Sequence, residues 1–250
     1  MRFKGKTAIV TGGARDIGRA VSLKLAKEGA RVVVNYLSNE EHANETLKLI
    51  KDAGGEAIIV KGDVTKNADA ANIVSEAQKA FGNEINILVN VAGGLVARKL
   101  LADMEEDFWE QVMTLNAKSV FLMTKHVAPL MPPGSAIVNF SSQAGRDGGG
   151  FGASAYATAK GAVATFTRGM AKELGPKGIR VNAVDPGMIA TTFHDTFTKP
   201  EVRTNVANAT PLRREGQATE VGDLVAYLAS DESSFITGAN IDINGGTYFS

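Results

Sequence analysis

The chain has no cysteine, a single tryptophan and three histidines among 250 residues, and its 27 basic side chains are matched by 27 acidic ones. Without cysteine there is no disulfide, no thiolate metal ligand and no cysteine nucleophile. His42 and His126 fall in helical stretches with no partner at metal-ligand spacing, so no metal is expected. Zero net charge without a long basic run gives no electrostatic reason to invoke nucleic acid or an anionic membrane as a partner. No apolar run approaches the ~18 residues of a membrane span. The opening Met-Arg-Phe-Lys-Gly-Lys, followed by Thr7 to Val10, reads as a first core strand rather than a leader peptide. The cytoplasm is the default expectation.

What the chain does have is alternation. Lys6–Thr11, Arg31–Tyr36, Ala57–Lys61, Ile85–Asn90, Ala136–Ser141, Ile179–Asp185 and Ala239–Ile243 read as strands. Most are continuous apolar runs, as strands covered on both faces should be. Between them lie helical patterns at Ile17–Glu28, Glu40–Asp52, Ala68–Phe81, Glu106–Leu130, Ala153–Leu174 and Ala218–Leu228. The expected fold is α/β: one Rossmann-type, doubly wound parallel sheet of about seven strands with helices on both faces, one domain over residues 1–250. Ligands of such sheets bind beyond the carboxyl ends of the strands.

Two groups of residues at those ends carry chemistry. Thr11-Gly12-Gly13-Ala14-Arg15-Asp16-Ile17-Gly18 joins the first strand to the first helix. Glycines there let backbone amides approach a pyrophosphate, and the helix start favours its charge; an ordinary strand-to-helix turn is the competing reading. Tyr156 and Lys160, four apart on a helix, share one face. An ammonium beside a phenol favours the phenolate and lowers its pKa from about 10. Tyr156 could then trade a proton with a substrate oxygen to which Ser142 also hydrogen-bonds.

These motifs, with Asn90-Val91-Ala92-Gly93, Asn116 in Thr-Leu-Asn-Ala, and Pro186-Gly187 after the sixth strand, resemble the short-chain dehydrogenase/reductase family over nearly the full length. The resemblance implies that Tyr156 is the general acid/base and that Ser142 positions the carbonyl or alkoxide. Ser141 is the fallback for that second role. Lys160 would lower the tyrosine pKa and hold the nicotinamide ribose, and Asn116 would anchor a water that relays protons to Lys160. Gly12, Arg15, Asp16, Ile17 and Gly18 would hold the pyrophosphate end, and Asp63-Val64 would flank the adenine. Asn90, Ala92 and Gly93 would pass beneath the adenosine ribose. Pro186, Gly187, Ile189 and Thr191 would meet the nicotinamide.

Three departures from the family pattern stand out. Asp16 replaces a usual glycine, either capping the first helix or setting a carboxylate beside the pyrophosphate. Val91 replaces a common asparagine. Ser142 to Tyr156 spans one residue more than usual, which Gly148–Gly152 can absorb. At the end of the second strand stand Asn35 and Tyr36, then Leu37-Ser38-Asn39, with no acid to hold the ribose hydroxyls. Arg15 could meet a 2′-phosphate, so NADP(H) is preferred, with NAD(H) possible.

The substrate is expected to be a small polar carbonyl compound, a keto sugar or keto sugar acid. Arg146, with Arg98 and His194, is the candidate anchor for an anionic end. A 3-oxoacyl-carrier-protein (or -CoA) reductase is the alternative, since those enzymes and sugar dehydrogenases share the closest branch. A catalytically silent cofactor-binding module is a third reading, disfavoured because Tyr156 and Lys160 are both present. The resemblance further implies a mobile lid over 190–217 and a homotetramer, built on the helices 106–130 and 153–174 and on the last strand.

Overall fold

Neighbouring residues on one strand point to opposite faces, and here both faces are apolar. Ala8 and Val10, Val32 and Val34, Ile87 and Val89 belong to one buried cluster; Ile9, Val33 and Leu88 belong to another. A strand that must bury both faces belongs inside a sheet covered by helices on each side. The computed structural model describes residues 1–249 and has that architecture. Strands β1 (Thr7–Thr11), β2 (Arg31–Tyr36), β3 (Glu56–Lys61), β4 (Ile87–Asn90), β5 (Ala136–Phe140), β6 (Arg180–Pro186) and β7 (Asn240–Ile243) form one sheet in the order β3-β2-β1-β4-β5-β6-β7. Every pairing is parallel.

Helices α1 (Asp16–Lys27), α2 (Glu40–Asp52) and α10 (Ala218–Ala229) cover one face, contributing Val21, Leu25, Ile50, Val221 and Val225. The other face is covered by α3 (Asn67–Phe81), α5 (Ser119–Val127) and α7 (Ser154–Leu174), with Ile73, Met123 and Leu174. No helix among the described residues is long and apolar enough to cross a membrane.

The helix expected over 106–130 is present but not uniform. It runs as α4 (Glu106–Met113), a π-helical turn at Thr114–Lys118, α5, and a final 3₁₀ turn. Such π turns are rare and cluster at functional sites; this one holds the buried Asn116. Three short helices lie where only loops were expected: α6 (Ala144–Asp147), α8 (Thr192–Phe197) and α9 (Pro200–Ala209). Proline at the first position of α9 is a helix-start signal, but α6 and α8 are too short to show periodicity.

The chain leaves β1 for β2 on one side and reaches β4 on the other, so a crevice opens above the carboxyl ends of β1 and β4. The close meeting of the glycine loop with α1 depends on Gly18. A Cβ there would stand 2.0 Å from the Gly12 carbonyl oxygen and 2.8 Å from its carbon. Overpacking of this kind costs about 1–3 kcal/mol. Gly18→Ala should therefore lower the urea midpoint of unfolding; an unchanged midpoint would show that the loop can yield.

Candidate active site

At the carboxyl end of β5 the chain turns through Ser141 and Ser142 into α6, and α7 packs alongside. Gly145 permits that contact, since a Cβ on it would meet the Gly161 amide at 2.8 Å and the Lys160 carbonyl carbon at 2.9 Å. The Ser141 hydroxyl donates to the Lys160 carbonyl at 2.9 Å, tying the β5 end to α7. Ser142 is then the serine beside the Tyr156 phenol, close enough to favour its ionised form. Between them Gly148, Gly149 and Gly152 are left-handed.

Lys160 is 4% exposed. Its Nζ donates to the Phe140 carbonyl at 2.7 Å and lies 5.6 Å from the centroid of the Tyr156 ring. Burial pushes the ammonium down to about 8, with Asp185 acting in the opposite direction. Burial likewise pushes the Tyr156 phenol up to about 12, with Ser142 opposing. The expectation that the lysine holds the tyrosine below its usual value is thus corrected for the cofactor-free protein. Desolvation dominates at Tyr156, and the neutral phenol it favours is the form that donates a proton.

The cleft in front of this pair has a volume of about 650 Å³ and extends to the glycine loop. Gly12, Arg15, Asp16, Ile17 and Gly18 line it, with Asn35, Tyr36, Asp63, Val64, Ala92 and Gly93. Pro186, Gly187, Ile189 and Thr191 line its far side. Gly12 is left-handed (φ +61°), and a Cβ on it would meet the Ala92 backbone at 3.2 Å. The two loops above β1 and β4 therefore make a cradle bare of side chains, which suits a dinucleotide's phosphates. Ser38 and Asn39, just past β2, and Phe193 and Phe197 on α8 also line the cleft. Nothing local in the sequence marked the phenylalanines, because α8 comes to the cleft only through the fold.

The side chains of several expected residues are engaged by the protein itself. Asn90 is buried within the sheet and its amide donates to Asn139 at 2.9 Å, so its side chain supports the strand ends rather than a ribose. Asn116 lies behind the cleft wall: its Oδ1 accepts from the Gly94 amide and its Nδ2 donates to the Gly94 and Val112 carbonyls, each at 2.9 Å. Its side chain thereby fixes the loop that carries Gly93. Asp16 makes no cap hydrogen bond to α1. Asn35 lines the cleft, yet its side chain accepts from the Gly12 amide and donates to the Gly62 carbonyl, pinning the glycine loop.

Arg146 requires the largest correction. Its Nε donates to Asp185 at 2.7 Å and sits 3.6 Å from Asp242, while Nη2 donates to the Asn240 carbonyl at 3.0 Å. The guanidinium is committed to β6 and β7 behind the catalytic loop and does not line the cleft. Those acids lie far from Arg146 in the chain and reach it only because β6 and β7 pair side by side. Arg98 and His194 do line the cleft.

A family model described as enoyl-(acyl carrier protein) reductase matches residues 12–248. A short-chain dehydrogenase/reductase of Serratia marcescens superposes with a TM-score of 0.92 at 32% identity, covering 99% of both chains. The chain is a short-chain dehydrogenase/reductase. It is accordingly an oxidoreductase acting on CH–OH and C=O groups, in a family that uses NAD(P)(H). The uncharacterized oxidoreductase YhxC of Bacillus subtilis is 38% identical over 98% of this chain and 86% of its own length. The 3-oxoacyl-[acyl-carrier-protein] reductase FabG of Staphylococcus aureus is 37% identical over 97% of this chain and 98% of its own. A blue fluorescent protein from a metagenomic library, solved with NADPH, superposes with a TM-score of 0.93 at 29% identity over the whole of both chains.

The lowered Lys160 value has a sign that can be tested. A phenol that gives up its proton needs the ammonium beside it, and the ammonium is lost as pH rises through about 8. The reductive kcat/KM, which reports the free enzyme, should be level below that pH and fall above it. A profile flat to pH values well above 8 would show that the charge on Lys160 is not required.

Proposed function

We propose that this short-chain dehydrogenase/reductase moves a hydride between NADP(H), in preference to NAD(H), and the carbonyl or alcohol of a small polar substrate, a keto sugar or keto sugar acid. The observation that carries the reading is the meeting of Ser142, Tyr156 and Lys160 at one end of a cleft whose other end is the glycine cradle. When bound, the nicotinamide supplies or accepts the hydride. The chain's own residues handle the proton and the alignment. In reduction Ser142 hydrogen-bonds the substrate oxygen, the Tyr156 phenol protonates it, and Lys160 stabilises the phenolate left behind. In oxidation the same groups run in reverse.

The cofactor preference rests on the adenosine end. Tyr36, Leu37, Ser38, Asn39 and His42, at and beyond the end of β2, line it and include no carboxylate to hold ribose hydroxyls, while the Asp63 carboxylate on the adenine side accepts from Thr65. Arg15, its side chain 57% exposed, supplies a cation within the same cleft.

The substrate reading rests on the opposite end. Arg98 donates through Nε to the Phe197 carbonyl and through Nη1 to the Phe151 carbonyl, leaving Nη2 for a ligand. Val96, two residues before it, is left-handed (φ +65°), an unfavourable conformation for a β-branched residue, consistent with a loop held in place to aim Arg98. Burial lowers the pKa of His194, so its ring is a neutral hydrogen-bonding group there. Phe193, Phe197, Met188 and Val206 supply an apolar wall for the carbon face of a sugar. With Arg146 committed elsewhere, Arg98 takes its place as the anchor for a carboxylate.

The identity to FabG supports 3-oxoacyl thioester reduction as the second reading. A homotetramer with a moving 190–217 segment is also proposed, supported by the exposed Phe121, Trp109 and Phe235.

A panel of keto sugars, keto sugar acids and acetoacetyl thioesters, run with NADPH and NADH and read at the cofactor absorbance, tests the reading. Keto sugar acids with NADPH should turn over fastest. Tyr156→Phe should lower kcat by about 10²–10⁴-fold while still binding NADPH. Turnover of that variant within threefold of the parent would remove Tyr156 from the chemistry, and thioesters outrunning the sugars would favour the second reading.

A further inference from the structure

Asp16 sits in a left-handed conformation (φ +50°), which aspartate tolerates better than most residues but which a glycine would adopt without cost. Its carboxylate is directed across the cleft and not at its own helix. Oδ1 accepts from the Thr192 amide at 3.1 Å, and Oδ2 accepts from the Thr192 hydroxyl at 2.5 Å. Arg15 Nη1 donates to the same hydroxyl at 2.6 Å and lies 3.6 Å from Oδ2. Thr192 opens α8, the first helix of the 190–217 segment. Gly12 to Gly18 on one side and Thr191 and Thr192 on the other line the same cleft.

We propose that Asp16 is a positioning residue that clasps the start of α8 to the glycine loop, so that cofactor entry and release require this two-bond contact to open. The clasp reaches the chemistry through α8 itself. The Phe193 ring, one residue on, is 6.0 Å from the Tyr156 ring, and Phe193 and Phe197 stack edge to face at 5.2 Å. Holding Thr192 therefore also holds the aromatic wall beside the phenol. The arrangement gives the left-handed carboxylate a task that glycine could not perform. Arg15 keeps the carboxylate from facing bound phosphates uncompensated, because it sits against the same oxygen.

This inference rests on reading the cleft as the dinucleotide groove, so the first measurement avoids catalysis. Hydrogen exchange of the cofactor-free protein should show the 190–197 segment losing protection in Asp16→Gly, a variant that relieves the backbone while removing the carboxylate. Asp16→Asn, which keeps one acceptor for the Thr192 amide, should restore part of it. Thr192→Val should lose protection as well, and in the double variant with Asp16→Gly the two losses should not add. The second measurement is NADPH dissociation by stopped flow, expected about tenfold faster in Asp16→Gly, as loss of a charge-assisted bond implies. Exchange in 190–197 that is unchanged in both Asp16→Gly and Thr192→Val would overturn the clasp. If exchange rises while NADPH dissociation stays within twofold, the contact exists but does not gate the cofactor, and the proposal also fails. If NADPH does not bind the parent protein at all, the functional reading fails while the exchange result still decides the clasp.

Discussion

The Lys160 ammonium, out of water and donating to the Phe140 carbonyl, is the constraint on which the site depends. A charge in that position penalises itself and tends to discharge unless something polar receives it. The structure answers with a carbonyl at the end of β5 and the distant field of Asp185. The space for it is equally specific. A Cβ on Gly93 would stand 2.7 Å from Asn116 Oδ1 and 3.2 Å from Lys160 Nζ. The π turn in the helix carrying Asn116, the bare loop after β4 and the serine at position 141 all serve to keep one lysine dry beneath one tyrosine.

From that arrangement follows a division of labour across the cleft. The glycine cradle and the catalytic end are built on strand ends and on α7, whereas the wall facing them is α8, held to the glycine loop by Asp16 and Arg15. Most cations near that wall are already paired. Arg203 binds Glu215 and Asp195, and Arg214 binds Glu220. Among the described residues, Arg98 and Arg15 bring guanidinium groups to the lining of the cleft, Arg98 at the Phe197 end of α8 and Arg15 at its Thr192 end. A substrate carboxylate and a cofactor 2′-phosphate would each find one of them.

Much of this was legible in the sequence, because it rests on local signals. Apolar runs marked the central strands, since burial on both faces leaves no alternation to misread. The glycine loop and the Tyr156/Lys160 spacing are likewise features of neighbouring residues. The illegible part lies in contacts between distant segments. Arg146 looked free because Asp185 and Asp242 approach it only when β6 and β7 pair side by side. Neither reading of Asp16, as a cap for α1 or as a carboxylate beside the pyrophosphate, includes Thr192, its actual partner, because that residue is 176 positions away. Asn90 was placed beneath a ribose, yet its partner is Asn139 on the neighbouring strand. The pKa of Tyr156 was misjudged for a related reason: spacing shows the ammonium four residues on, but not how much water the fold removes.

Burial of the Tyr156 phenol raises its pKa, with Ser142 opposing, so the resting group at the centre of the site is the proton donor. Ultraviolet titration at the phenolate band, taken as the difference between the cofactor-free parent protein and Tyr156→Phe, reads that state directly. The difference spectrum should show no phenolate up to about pH 10, the ordinary tyrosine value, since burial holds the group near about 12. A Tyr156 phenolate appearing near neutral pH would contradict it.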